Sequence, residues 1–352
     1  MSAISIQKLA VVPYLDLPNL AGRTISTLMF YDAGEWRMWL EAGGPLVEVK
    51  AWPAESFYFA KDPADPDDIS FHFLDFMAQR ACYPEIVRAL SGIHDDIFNL
   101  SASLAKIEHV HTTRTAAGPG CHRMMASEVE YIFSVCRSLF DLLQEIALKL
   151  WDTIQLVDEG VVKKPLKESF NAVVNFEGKP AKRETLMKRF GLPPPMADFY
   201  VVWREFFATL KDFRDNLAHN GSQIQSIFAG AEGFQIAKAL RPFHDMDSWR
   251  PKEREANDVV PLIPALGVVI SRTLGACEDF SQMFSRIIAF PPPIVPGMRL
   301  FMRGYFNASF NRILRDAVSR TAGTAAGVQA ASPAAHAVPT APVKSAAGPP
   351  TH

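Results

Sequence analysis

Cysteine is scarce in this chain of 352 residues, which has only Cys82, Cys121, Cys136 and Cys277. No two of them form a C-x-x-C pair, so their spacing indicates neither a structural zinc site nor a disulfide framework. Unpaired cysteine is among the most buried residue types in proteins. We therefore expect four reduced thiols inside the core.

An excess of charge of either sign and long apolar runs are also missing. The formal net charge is -2 at pH 7, so any nucleic-acid site has to come from a local basic patch and not from the charge of the whole molecule. Charged residues interrupt the apolar runs before the ~18 residues that a membrane span needs. The N-terminal segment lacks a signal-peptide cleavage pattern. We expect a cytoplasmic protein that does not contact a membrane.

Glycine-rich phosphate loops are absent too, because the sequence has neither a Walker loop nor a dinucleotide fingerprint. This disfavours nucleotide hydrolysis and Rossmann chemistry. Residue types that bind zinc do occur close together, at His109, His111, Cys121 and His122. The stretch TTRTAAGPG between them is expected to be a flexible loop that fixes no spacing for tetrahedral ligands. We predict no metal and no cofactor.

What the sequence does contain is a short β-rich beginning followed by helical patterns. Runs such as TISTLMFY and EWRMWLE, separated by Gly-containing turns, predict a small antiparallel meander. The end of the chain is mostly Ala, Pro, Gly, Ser and Thr, which cannot bury enough apolar area to offset its ordering entropy, and we expect it to be disordered. The predicted order is a β-rich segment (1–61), a helical connector (62–119), a helical bundle (120–292), a C-terminal extension (293–320) and a disordered tail (321–352).

Three segments carry apolar residues at alternating steps of three and four, the pattern of an amphipathic helix. Each apolar face needs a partner surface, and an antiparallel bundle supplies it. The sequence therefore predicts a mainly α protein. The apolar positions are Val129, Ile132, Cys136, Leu139, Leu143, Ile146 and Leu150 in the first; Phe199, Trp203, Phe206, Leu210, Phe213 and Leu217 in the second; and Ile270, Leu274, Cys277, Phe280, Phe284 and Ile287 in the third.

The segment between the first two predicted helices is basic. Residues 160–190 contain eight basic and three acidic residues, a net charge of five. Two interpretations stay open: a solvated loop with a short helix, or a flap over the bundle that contacts phosphates.

Arg214, Asp215 and His219 stand together in the stretch FRDNLAHNG. The second helix is expected to begin near Ala197 and to end at Asn220, because Asn-Gly favours the left-handed conformation that closes a helix. At ~100° per residue, Arg214 and His219 lie on opposite flanks of the apolar face. Asp215 and His219 are one turn apart, so the carboxylate could orient the imidazole. Each of these residues also has a structural interpretation, since an arginine beside an apolar face often pairs with an acid and a histidine in a last turn complements the helix dipole.

The stretch from Arg214 to His219 resembles the R-x4-6-H motif of the HEPN superfamily, in which a polar residue such as Asp215 typically follows the arginine. The resemblance covers roughly residues 120–292. It implies an all-α bundle, commonly dimeric. Many members are metal-independent ribonucleases of toxin-antitoxin or phage-defence systems, and others bind RNA or proteins without catalysis. The tyrosine that often follows the histidine by two residues is replaced by Gly221, so regulation through such a tyrosine is not supported.

A second part of the resemblance lies on the first predicted helix. Glu130, Arg137 and Asp141 form a polar stripe beside its apolar face, similar to the acid-to-arginine stripe of many HEPN proteins. A salt bridge that fixes helix register is the alternative.

The resemblance implies cleavage of RNA, in which the ribose 2′-hydroxyl attacks the adjacent phosphate. We assign proton transfer to His219 and phosphate binding to Arg214, with Asp215 or Asn216 orienting the pair. Single-stranded or looped RNA is the expected substrate, and a homodimer is expected to unite groups from both chains. The further substrate-binding candidates are Asn220, Lys182, Arg183, Lys188 and Arg189. The leading hypothesis is thus a metal-independent endoribonuclease with an antitoxin or defence-system partner. The alternatives are a non-catalytic RNA- or protein-binding module and a helical scaffold.

Overall fold

The computed structural model describes residues 4–220, 224, 226–240, 242–244, 246, 248–254 and 258–321, with the side chains of 217–220 left out. Of the described residues, 54% are helical, and the remainder include a five-stranded mixed sheet and two smaller sheets. This is an α/β fold, so the predicted mainly α, HEPN-like bundle with a small β meander is wrong. The predicted disordered tail lies outside the described residues from 322 onward.

The elements follow in chain order. The helices are α1 (Ile6–Leu9), α2 (His72–Arg80), α3 (Val87–Thr112), α4 (Arg114–Ala117), α5 (Gly120–Thr153), α6 (Phe170–Val174), α7 (Arg183–Phe190), α8 (Pro194–Asn220), α9 (Leu262–Ile287) and α10 (Asn307–Thr321). The strands are β1 (Met29–Asp32), β2 (Glu35–Glu41), β3 (Leu46–Val49), β4 (Ser56–Ala60), β5 (Asn175–Phe176), β6 (Lys179–Pro180), β7 (Ile227–Ala229), β8 (Phe234–Ala237), β9 (Val259–Pro261) and β10 (Arg299–Arg303).

The large sheet has the strand order β10-β4-β1-β2-β3. Strands β1, β2 and β3 pair in antiparallel order, as the meander predicted, but β4 runs parallel to β1. Strand β10, from the predicted C-terminal extension, pairs antiparallel with β4 and places Phe301 opposite Tyr58. A partner from the far end of the chain therefore completes the sheet.

The two faces of this sheet have different surroundings. One face packs on α3, where Phe57 contacts His94 and Phe98, and belongs to the main core. The other carries a separate small cluster around Tyr58 and Phe301. At the β3 edge the sheet leaves apolar side chains exposed, with Val47 at 46% exposure.

The three predicted apolar faces are buried in α5, α8 and α9, apart from Leu217, whose side chain lies outside the described residues. Helix α5 runs antiparallel to α8, because Phe133 packs on Phe213 and Phe140 packs on Phe206. The periodicity thus identified three core helices correctly. All four cysteines are free and buried, as expected.

The region predicted as one helical bundle contains two small sheets. The β5–β6 hairpin lies between α5 and α8, and β7, β8 and β9 form a three-stranded sheet before α9. The strands are only two to four residues long, too short for a clear period-two pattern. Among the described residues, no helix is long and apolar enough to span a bilayer.

Candidate functional site at the end of helix α8

Helix α8 places the motif at its C-terminal end. It begins at Pro194, three residues before the predicted start, since proline is compatible with the first turn of a helix. It ends at Asn220, the predicted stop. The backbone of His219 therefore belongs to the last turn. The side chains of His219 and Asn220 lie outside the described residues, as does Gly221.

Arg214 is open to solvent, with 59% of its side chain exposed. Its described ion contact is with the adjacent Asp215, at 3.5 Å between Nη1 and Oδ1. A single contact of this length at an exposed position does not hold the guanidinium in an internal ion pair. Arg214 can therefore meet a ligand.

Asp215 is bound more closely by another residue, Lys211, whose Nζ donates to Oδ2 over 2.7 Å. The hydrogen bond from Lys211, reinforced by Arg214, lowers the pKa of Asp215 below its ordinary value. The residue is therefore a carboxylate at neutral pH, and two cations share its charge. Asn216, the other predicted orienting residue, is half-buried on the same turn.

The polar stripe on α5 divides into two environments. Arg137 forms an ion pair with Asp141, one turn along the helix, and its guanidinium lies 4.5 Å from the centre of the Phe207 ring. Only 14% of its side chain is exposed. The ion contact lacks hydrogen-bond geometry, because Nε and Nη1 are buried with no hydrogen-bond partner among the described residues. Arg137 therefore packs α5 against α8, which favours the register role.

Glu130 is the member of that stripe nearest to the motif. Since Phe133 packs on Phe213 and the helices are antiparallel, Glu130 lies near the level of the last turns of α8. Its Oε1 is buried with no hydrogen-bond partner among the described residues. Arg137 is seven residues further along α5, roughly 10 Å away. Along the helix axes, Glu130 therefore lies nearer than Arg137 to the level of Arg214.

The predicted basic substrate-binding residues lie elsewhere. Arg183, at the start of α7, pairs with Asp198 in the first turns of α8. Further along α8, Arg204 donates to the carbonyl oxygen of Ala181, just before α7. The segment around α7 is therefore held against α8 at two points. Asp198 and Arg214 are 16 residues apart, or about 24 Å along α8. Within one subunit, Lys182, Arg183, Lys188 and Arg189 therefore do not share a cleft with Arg214.

Two further features were not predicted. Phe176 is exposed on the β5–β6 hairpin. The Glu-Gly pair between the two strands was the sequence signal that could have predicted this turn.

An open depression of about 430 Å³ lies beside the large sheet, where Tyr14 donates to Asp32 over 3.0 Å. It is lined by none of the predicted site residues.

Comparison with known proteins adds no assignment: neither a protein-family model, nor a curated protein, nor a solved structure matches the chain. The functional argument therefore depends on the geometry above and on the short motif.

Proposed function

We propose that the protein is a metal-independent endoribonuclease that uses Arg214 to bind phosphate and His219 to transfer protons. The observation that carries the proposal is the exposure of Arg214 at the end of α8, where it has one loose described ion contact and its side chain is accessible to a polyanion. The motif supplies the histidine five residues later in the same helix. Guanidinium and imidazole together provide the charge and the proton transfer that this cleavage needs.

The reaction requires no external reactant. The ribose 2′-hydroxyl loses its proton to a base and its oxygen attacks the adjacent phosphorus. The bond from phosphorus to the 5′-oxygen breaks, and that oxygen takes up a proton. The products are a 2′,3′-cyclic phosphate and a 5′-hydroxyl. His219 serves the proton transfers, and Arg214 stabilises the charge that develops on the phosphate oxygens.

The proposal extends to the setting implied by the motif. An unpaired stretch of RNA is the substrate, since its backbone reaches a helix end more readily than a duplex does. The protein acts in the cytoplasm as a homodimer within a toxin-antitoxin or defence system, and a partner protein restrains it.

A second function, RNA binding without cleavage, is favoured by one observation. The basic segment around α7 contacts α8 at Asp198 and Arg204, about 24 and 15 Å along the helix from Arg214, so this local excess of positive charge is separate from the motif. A protein that only binds RNA would use this segment and would not need the imidazole.

The test is incubation of the full chain with unstructured RNA in EDTA, beside the variants Arg214→Ala and His219→Ala. Arg88→Ala is the matched control, because Arg88 is an exposed arginine at the start of α3. We expect cleavage by the parent chain and the control, with a loss of about 100-fold or more in each motif variant. Binding without cleavage would support the second function, and absence of both would refute the two together.

A further inference from the structure

The β5–β6 hairpin is closed by a tight two-residue turn. Phe176 pairs with Lys179 across the two strands. Glu177 and Gly178 between them both have positive φ, at 50° and 74°, which is the conformation of the tightest hairpin turn. The N–H of Ala181 donates to the carbonyl oxygen of Val174 over 2.8 Å, so the hairpin is joined at its base.

Phe176 presents a ring that is backed by a cation. Its side chain is 38% exposed, although an aromatic ring gains from burial. The guanidinium of Arg189 lies 4.5 Å from the ring centre and also covers buried Phe190. One face of Phe176 is thus supported by Arg189. A partly exposed aromatic ring next to an arginine is a surface on which a nucleobase can stack.

Lysines lie near this ring along the chain, with Lys179 opposite Phe176 in the hairpin and the others at or in α7. Lys179, Lys182 and Lys188 are exposed, and none of them forms an ion pair with another residue in the part of the chain that the structure describes. Lys164 joins them, because its Nζ donates to the carbonyl oxygen of Lys188 over 2.8 Å. The acidic neighbours are Glu177 and Glu184. The local charge is therefore positive, although the whole chain is nearly neutral.

From this arrangement we infer that the hairpin and α7 form a binding site for a single-stranded nucleic acid. One base stacks on Phe176, and Lys179, Lys182 and Lys188 contact the phosphates. A duplex is excluded as the ligand because its bases are already stacked on each other and cannot reach the ring. Under the proposed function the ligand is RNA, and the site holds the strand at a distance from Arg214.

The experiment measures fluorescence anisotropy with a labelled oligouridylate of about 15 nucleotides, near the upper site size of single-strand binding modules. The full chain carries Arg214→Ala so that the RNA stays intact. We expect Phe176→Ala to weaken binding roughly 5- to 50-fold, because one stacked base is lost. Phe176→Tyr should retain the affinity. Phe228→Ala is the matched control, since Phe228 is 44% exposed on the separate hairpin strand β7.

Salt dependence tests the phosphate contacts. Each of Lys179→Gln and Lys188→Gln should reduce the slope of log affinity against log salt by about 0.7, the value for one single-strand phosphate contact. Lys61→Gln, an exposed lysine beside the large sheet, should leave the slope unchanged. Equal affinity for a duplex of the same length, or an unchanged affinity after Phe176→Ala, would overturn the inference.

These outcomes separate the two proposals. If Phe176→Ala loses binding while the parent chain, with Arg214 intact, does not cleave RNA, the hairpin site stands and the nuclease proposal is refuted. If cleavage depends on Arg214 but Phe176→Ala binds RNA normally, the nuclease proposal stands and the hairpin site is refuted.

Discussion

The imidazole of His94 on α3 stacks on the ring of Phe57 on β4, with 4.1 Å between the ring centres. The contact joins the helix layer to the large sheet. Its Nε2 is buried and has no hydrogen-bond partner among the described residues. Burial lowers the pKa of His94 to about 4, so the ring is neutral in the folded protein at physiological pH.

This relationship predicts a loss of stability in acid. Below about pH 6.5 the unfolded chain protonates His94 and the folded chain does not, so the free energy of unfolding falls as pH drops toward 4. We expect this contribution to reach about 2 to 3 kcal/mol. In His94→Phe this pH-dependent contribution should vanish, while the contact between the two rings remains. Urea unfolding of the parent and of His94→Phe between about pH 4 and 6.5 measures this contribution. Identical pH profiles of the two chains would contradict the prediction.

Asp96, two residues further along α3, should make the protein less stable as pH rises, the opposite of the effect of His94. Burial, opposed by a hydrogen bond with Ser138, raises its pKa to about 6. Between about pH 4 and 6 the folded chain holds a proton that the unfolded chain has lost, so rising pH reduces stability. We expect Asp96→Asn to increase the free energy of unfolding by about 1 to 3 kcal/mol at pH 7.5 and by almost nothing at pH 4. Asp95→Asn, on its exposed neighbour, is the control and should show no such dependence.

A buried polar network connects α5 to α8 and to the basic segment. The hydroxyl of Tyr200 donates to Oε1 of Gln144 over 2.8 Å, and Nε2 of Gln144 donates to the carbonyl oxygen of Lys167 over 2.7 Å. Gln144→Leu removes both partners, so we expect a loss of about 2 to 4 kcal/mol in thermal or urea unfolding. Tyr200→Phe should lower the free energy of unfolding less in the Gln144→Leu chain than in the parent chain, because in the Gln144→Leu chain it removes a hydroxyl that has already lost its partner. Strict additivity of the two changes would argue against the network.

On the other face of the large sheet, Arg303 and Tyr58 share a buried carboxylate. The Tyr58 hydroxyl donates to Oδ2 of Asp68 over 2.7 Å, and Arg303 Nη1 lies 3.2 Å from the same oxygen. Only 4% of the Asp68 side chain is exposed. Arg303→Met should therefore destabilise the protein by about 3 to 5 kcal/mol, since it leaves a buried charge without its partner. Asp68→Asn in the same chain should recover part of this loss. Arg299→Met, an exposed arginine on the same strand, serves as the reference.

Local sequence patterns predicted the helices and missed the sheet partners. The spacing of Val129, Phe199 and Ile270 with their neighbours depends on the helical repeat alone, and those faces are buried. The pairing of β10 with β4 joins residues about 240 positions apart, and nothing in the five-residue run from Arg299 indicates that partner. The fold class was therefore wrong even though the main helices were right.

The same limit applies to the candidate site. Asn220 and the following glycine predicted the end of α8 correctly, because the termination of a helix depends on the residues at its end. The position of the basic segment depends on where α7 packs on α8, which the Arg183–Asp198 ion pair fixes. Charge content left two interpretations of that segment open, a solvated loop with a short helix or a flap over the bundle. The structure places the segment against the N-terminal half of α8, at Asp198 and Arg204.

Complementation between two inactive chains tests how Arg214 and His219 meet. The two residues are separated by about 140° around α8, so we propose that one phosphate contacts Arg214 of one subunit and the histidine of the other. If so, mixing Arg214→Ala with His219→Ala and allowing subunits to exchange should restore about a quarter of the parent activity, because half of the dimers regain one of two sites. A mixture of Arg214→Ala with Asp215→Ala/His219→Ala examines whether the carboxylate acts from the same chain as the arginine. Persistent inactivity of the first mixture, with subunit exchange shown by labelled chains, would confine the site to a single subunit.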